Sequence, residues 1–227
     1  MKRGFTILAL VTALLLSLGL YEALIGAPTE RTMGDVQRIF YYHVPSAWTA
    51  FLFFLINFVA SIVYLIRRDA KSDIMALVSA EIGVVFCTVV LVTGPIWARP
   101  VWGIWWTWDL RLTLTLVLWL IYVSYLMLRR FSTSSQTALL AAVLAIFGAL
   151  DVPLVYFSIW FFRTQHPSPV IGNGGSLDPR MARVLLINWA AFLCLAWLMA
   201  WTRYRLELLK REVEEAQALE SLMETSR

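Results

Sequence analysis

SAWTAFLFFLINFVASIVYLI, residues 46–66, decides the fold. It carries no charged side chain across 21 positions and is closed by Arg67 and Arg68. At about 1.5 Å rise per residue, a helix of that length covers a hydrocarbon core of about 30 Å. Such a run predicts a membrane span ended by cations at the headgroups. Five more runs share the pattern, at about 5–24, 73–93, 112–128, 138–162 and 183–202. The chain of 227 residues is 60% hydrophobic and only 15% charged, with a mean hydropathy of +0.71. A water-soluble domain is about half apolar and about a quarter charged. The predicted fold is therefore all-α. A polytopic bundle of six transmembrane helices, residues 1–203, precedes a cytoplasmic helical tail, residues 204–227.

Several functions are excluded or disfavoured. The net charge of +4 comes with no basic stripe, so nothing points to nucleic acid. Cys87 and Cys194 lie inside apolar runs and belong to no CxxC or CxxCH, which removes redox, zinc and covalent haem motifs. A P-loop needs Gly before its Lys and Ser or Thr after it. Lys71 is followed by Ser72 but preceded by Ala70. Any ATP-driven work must come from another chain. The first run has a basic start at Lys2 and Arg3 but no A-x-A-like site before Pro28, and reads as a retained span.

Basic residues fix the expected orientation. Arg67, Arg68, Lys71, Arg129 and Arg130 crowd two short loops, and Arg203, Arg205, Lys210 and Arg211 follow the last span. The positive-inside rule then places both termini inside and three longer loops outside, at about 25–45, 94–111 and 163–182. In the tail, Glu207 to Arg211 and Arg211 to Glu215 sit at the spacing for favourable charge pairs.

The outer loops hold the unusual residues. Both histidines are there, His43 in YYHVPSAW and His166 in RTQHPSP, each just beyond the end of a span. Pro167 pushes His166 towards extended geometry. Two neutral imidazoles across a gap are a natural axial pair for haem iron. The second loop, with its Trp-rich segment at about 94–111, contains Trp97, Trp102, Trp105, Trp106 and Trp108, five of eleven tryptophans in twelve positions. An interfacial belt places one or two per helix end. WGIWWTWDLRLT predicts a short interfacial helix with Trp102, Trp105 and Trp106 on one face, a surface on which a flat macrocycle would stack. Arg99 and Arg111 flank it, and Arg38 and Arg163 lie near the histidines, as forks for carboxylates. Asp109 is expected to cap the fourth span at the N–H of Leu112. Glu81 and Asp151 lie about 18 Å and about 16 Å below the outer ends of their spans. They are structural hydrogen-bonding groups or a polar patch lining a cavity open to the outside. Pro153 should kink the fifth span near Asp151 by freeing the carbonyl of Ala149.

YYHVPSAW (41–48), GPIWARPVWGIWWTWDLRLT (94–113), FGALDVPLVYFSIW (147–160) and RTQHP (163–167) closely resemble the haem exporter protein C (CcmC) family of bacterial cytochrome c maturation. The resemblance implies a non-enzymatic, multi-pass protein of the inner membrane. It would hold haem b at the periplasmic face, with His43 and His166 as axial ligands and the tryptophans, with Asp109, as the WWD platform. It would pass haem to a periplasmic haem chaperone, working with ABC transporter subunits and a small membrane subunit. Gln165 stands where a more apolar residue is expected, and the tail has no family pattern. Two other functions fit the residues less well. A b-type electron-transfer cytochrome usually sets its histidine pairs on spans. A permease for another small substrate, with Glu81 and Asp151 along its path, leaves the tryptophans unexplained.

Overall fold

A computed structural model describes residues 2–162, 164–167 and 177–225. The described residues form helices and no β-strand, and six helical segments are long and apolar enough to cross a membrane. α1 spans Lys2–Tyr21 and ends in a π-helical turn, Glu22–Gly26. A 3-10 turn, Asp35–Ile39, leads into α2, Phe40–Arg67, and then α3, Ala70–Trp102. α4 covers Leu110–Phe131. The fifth span is two pieces, α5 (Thr137–Ala149) and α6 (Asp151–Phe161), and α7 is a single helix, Pro179–Thr225. Helices suit a bilayer because each bonds its own backbone groups where no water can.

Several span ends differ from the expectation. α2 begins at Phe40 rather than Ser46 and carries Pro45 inside it, so His43 stands on a helix and not in a loop. α3 does not stop at Thr93 but runs on through Pro95 and Pro100 for 33 residues. At about 50 Å it is much longer than the hydrocarbon core needs. α7 likewise merges the sixth span and the tail into 47 residues. Each proline loses one ladder bond, yet the flanking turns persist where the chain passes through the headgroups. The break in the fifth span falls where expected, at Leu150, two residues after Gly148 and three before Pro153.

α2 and α3 form a tight antiparallel pair. Arg68 takes the left-handed conformation (φ 55°), and Asp69 caps α3 by accepting the Ser72 N–H at 2.9 Å. Gly83 lets the pair close, since a Cβ there would press into the Phe54 ring. Phe54 in turn stacks on Tyr122 of α4, with centroids 4.0 Å apart at 16°. Phe53, Ile82, Leu118 and Tyr122 are fully buried around this contact. α1 packs on α7, where Asn188 donates to the Gly19 carbonyl at 3.2 Å.

Charge gathers at one end of the bundle. Arg129 of α4 clasps Asp73 of α3 with both guanidinium nitrogens, and Arg211 of α7 reaches the same carboxylate at 2.6 Å. Arg211 also meets Glu207 at 3.6 Å, one of the two tail pairs expected from spacing. Arg203 forms a two-pronged bond with Glu81, at 2.7 and 2.8 Å. That pair corrects the idea of Glu81 lining a cavity open to the outside: its partner belongs to the opposite, arginine-rich end. Asp151 is buried at the start of α6, and one of its oxygens has no partner among the described residues.

Candidate functional site

At the other end, three helices and a loop bring the two histidines together. His43 occupies the first turn of α2, and His166 follows α6 in the third loop. Their ring centroids are 6.5 Å apart, with planes 32° from parallel, although 123 positions separate them in sequence. Both rings are half-buried. Gly94 of α3 lies against His43, and a Cβ there would sit 3.5 Å from its ring.

Hydrogen bonds fix how each ring presents itself. The Thr93 hydroxyl donates to the Val89 carbonyl at 2.7 Å, so its oxygen receives the Nδ1–H of His43 at 2.8 Å. His166 Nδ1 lies 2.9 Å from the Pro167 carbonyl, which can only accept. Each Nδ1 therefore carries the proton, and each Nε2 keeps its lone pair. This is the tautomer that binds a metal through Nε2. The neutral form is also favoured. Burial, helped by the positive charge of Arg111, pushes the pKa of His166 down to about 4.

Asp109 links two loops. Its Oδ1 accepts the Leu112 N–H at 3.0 Å, the expected cap of α4. Its Oδ2 accepts the Thr164 hydroxyl at 3.0 Å, and Thr164 Oγ1 accepts the backbone N–H of His166 at 3.1 Å. One carboxylate thus anchors both the Trp-rich loop and the His166 loop.

The Trp-rich segment is not the short helix expected. Trp102 ends α3, because Gly103 adopts φ 80° and donates its N–H to the Arg99 carbonyl, and residues 103–109 are irregular up to the Asp109 cap. Trp102, Trp105 and Trp106 therefore share no helix face. The indoles pair edge-on instead, Trp97 with Trp102 at 5.1 Å and Trp106 with Trp108 at 5.8 Å. Trp105 and Trp108 are exposed. Trp106 and Trp108, with Leu91 and Leu116, line an open apolar groove of about 320 Å³.

The arginines divide. Arg111 is half-buried, its charge bears on both histidines, and one guanidinium nitrogen is buried without a partner among the described residues. Arg99 donates to the Gly103 carbonyl and so helps end α3. Arg38 is spent on Asp35 and on the Ala23 and Ala27 carbonyls, which ties down the first outer loop. Arg163 lies outside the described residues. Thr93 and Thr164 were not singled out from sequence, since a hydroxyl at a span end gives no signal without its partner. Among the described residues, Trp106 Nε1 and Thr107 Oγ1 are also buried donors with no partner. The unpaired nitrogen of Arg111, whose charge bears on both rings, and the two Nε2 lone pairs are groups that a ligand with a metal and a carboxylate can use.

Comparison with known proteins shows a family. A family model described as heme exporter protein C matches residues 1–219. A "Heme exporter protein C" of Bradyrhizobium diazoefficiens is 36% identical over 217 residues, covering 94% of this chain and 82% of its own. One of Haemophilus influenzae is 32% identical, over 91% of this chain and 85% of its own. A "putative cytochrome c biosynthesis ccmC-like mitochondrial protein" of Marchantia polymorpha is 31% identical, over 78% and 76%.

Proposed function

From the premise that this chain belongs to the heme exporter protein C family, we propose that it holds haem b between His43 and His166 and hands it on at the outer face. The coarse role is haem handling in cytochrome c maturation, by a multi-pass membrane protein that works among other maturation components. The finer reading rests on one observation: two imidazoles 6.5 Å apart, each with Nδ1–H committed and with no partner for Nε2 among the described residues. Two imidazoles sharing one metal ion at about 2 Å each stand with ring centres roughly 6 Å apart.

Haem is cargo here, and it supplies the iron and two carboxylates. The chain's residues do the rest. Thr93 and the Pro167 carbonyl orient the ligand rings, and Asp109 and Thr164 hold the His166 loop against the Trp-rich one. Arg111, Trp106 and Thr107 offer donors to the carboxylates. Trp97, Trp102, Trp105 and Trp108 give an apolar rim on which a macrocycle and a periplasmic chaperone can rest. Nothing in this needs bond-making by the protein, so its task is binding and transfer rather than catalysis. The arginine-rich end supports a cytoplasmic placement for both termini, in the bacterial inner membrane. ABC transporter subunits and a small membrane subunit would meet the chain there.

The test is the haem spectrum of purified full-length protein, for wild type, His43→Ala and His166→Ala. The wild type should bind haem with a six-coordinate spectrum, and each variant should lose one axial ligand. A wild type that takes up no haem, or variants with unchanged spectra, would overturn the reading.

A further inference from the structure

A second groove lies at the arginine-rich end, far from the histidines. It has a volume of about 490 Å³ and runs along α2, with walls including Ile56, Val59, Val63 and Met75. Lys71 of α3 and Tyr204 of α7 stand at its mouth. Its α2 wall, from Leu55 to Val63, runs about 12 Å along the helix. Val59 and Leu55 are half exposed, so the groove opens sideways, where the bilayer lies.

We infer that this groove takes one acyl chain of an anionic phospholipid, with its phosphate on Lys71. Length argues for a lipid. The α2 wall of the groove lies within one leaflet of the hydrocarbon core, which is about 15 Å, whereas a partner's spanning helix would need contact over about 30 Å. Charge argues for an anionic headgroup. Lys71 is exposed at the mouth, and Arg67 and Arg68 follow directly at the end of α2. Asp69 is committed to the Ser72 N–H and hydroxyl and to Arg67, and Glu207, three residues after Tyr204 on α7, meets Arg211. Asp73, deeper in α3, is neutralised by Arg129 and Arg211. A net positive mouth therefore faces the headgroup layer. Tyr204 has the amphipathic ring that favours this depth. Basic pockets between spans on the cytoplasmic side are a known way to hold anionic headgroups. The inference needs the chain to sit in a bilayer and does not depend on its binding haem.

Native mass spectrometry of the full-length protein in mild detergent tests it, titrated separately with phosphatidylglycerol and phosphatidylethanolamine of identical chains. Wild type should bind one phosphatidylglycerol tightly and prefer it to phosphatidylethanolamine. Lys71→Gln should weaken phosphatidylglycerol by about fivefold, the worth of one cation at a membrane surface, and leave phosphatidylethanolamine alone. Val59→Trp, which fills the groove from its lipid side, should weaken both. Equal affinity for the two lipids, or no change in Lys71→Gln, would overturn the inference. A photo-crosslinking residue at Val59 in native membranes gives an independent reading. Lipid adducts support the inference, and adducts with a protein helix refute it. Haem uptake should be unchanged in both variants, which separates this result from the fate of the haem reading.

Discussion

Thr93→Val removes a single oxygen from the site and should weaken haem binding about tenfold. Valine matches threonine in size and branching, so the packing of α3 should survive. The bond from Thr93 to the Val89 carbonyl is local to one helix, and its loss costs little. The contact that matters is the 2.8 Å bond from His43 Nδ1. Without it, His43 keeps Gly94 as a wall but loses the acceptor that sets its tautomer and rotation. A typical hydrogen bond contributes about 1 kcal/mol net. Loss of such an orienting partner typically costs 10–100-fold in metal affinity. The two scales meet near a tenfold loss. The assay titrates apo-protein in detergent with haemin and follows the Soret band. Thr93→Ser keeps the acceptor and should restore both affinity and band position. Wild-type affinity and an unchanged spectrum in Thr93→Val would refute the assigned tautomer.

Three further outcomes follow from the same geometry. His166 stays neutral in the apo-protein until about pH 4, well below its ordinary value of about 6.5. Lowering the pH should therefore leave haem binding level from pH 8 to about 5, with loss only as His166 protonates. Arg111→Gln removes one cause of the shift and should move that loss upward, as read from Soret pH titrations; a wild-type midpoint near 6.5 would contradict it. Asp73→Asn leaves Arg129 and Arg211 facing each other around a site that is 5% exposed. Breaking a buried pair in this way costs about 3–5 kcal/mol, and thermal unfolding in detergent should show a clear drop. Gly83→Ala forces a methyl into Phe54, which the Tyr122 stack holds in place, and should cost about 1–3 kcal/mol in the same assay.

The six spans were legible because hydrocarbon thickness leaves the sequence little choice: Ser46–Ile66 could hardly be anything else. The cap at Asp109 and the break before Pro153 were legible for local reasons, a carboxylate before an apolar run and a ring with no N–H. What hydropathy missed were the parts of helices outside the hydrocarbon. The turn holding His43 and the end of α3 at Trp102 read as loops because proline and tryptophan mark the interface. The pairing of Glu81 with Arg203 spans 122 positions and leaves no trace in spacing. Thr93 was likewise silent, since its part depends on a ring 50 positions earlier.

The anchor at Asp109 bears on how the site could open. Among the described residues, one tie between the two loops is the hydrogen bond from Thr164 to Asp109. At about 1 kcal/mol, such a bond favours the closed arrangement by only about fivefold. Releasing it leaves the cap on Leu112 intact, since that uses the other carboxylate oxygen. Thr164 and Asp109 can therefore part without unwinding the start of α4. A carrier has to part with what it holds, and this contact is one that breaks at a cost of only about 1 kcal/mol.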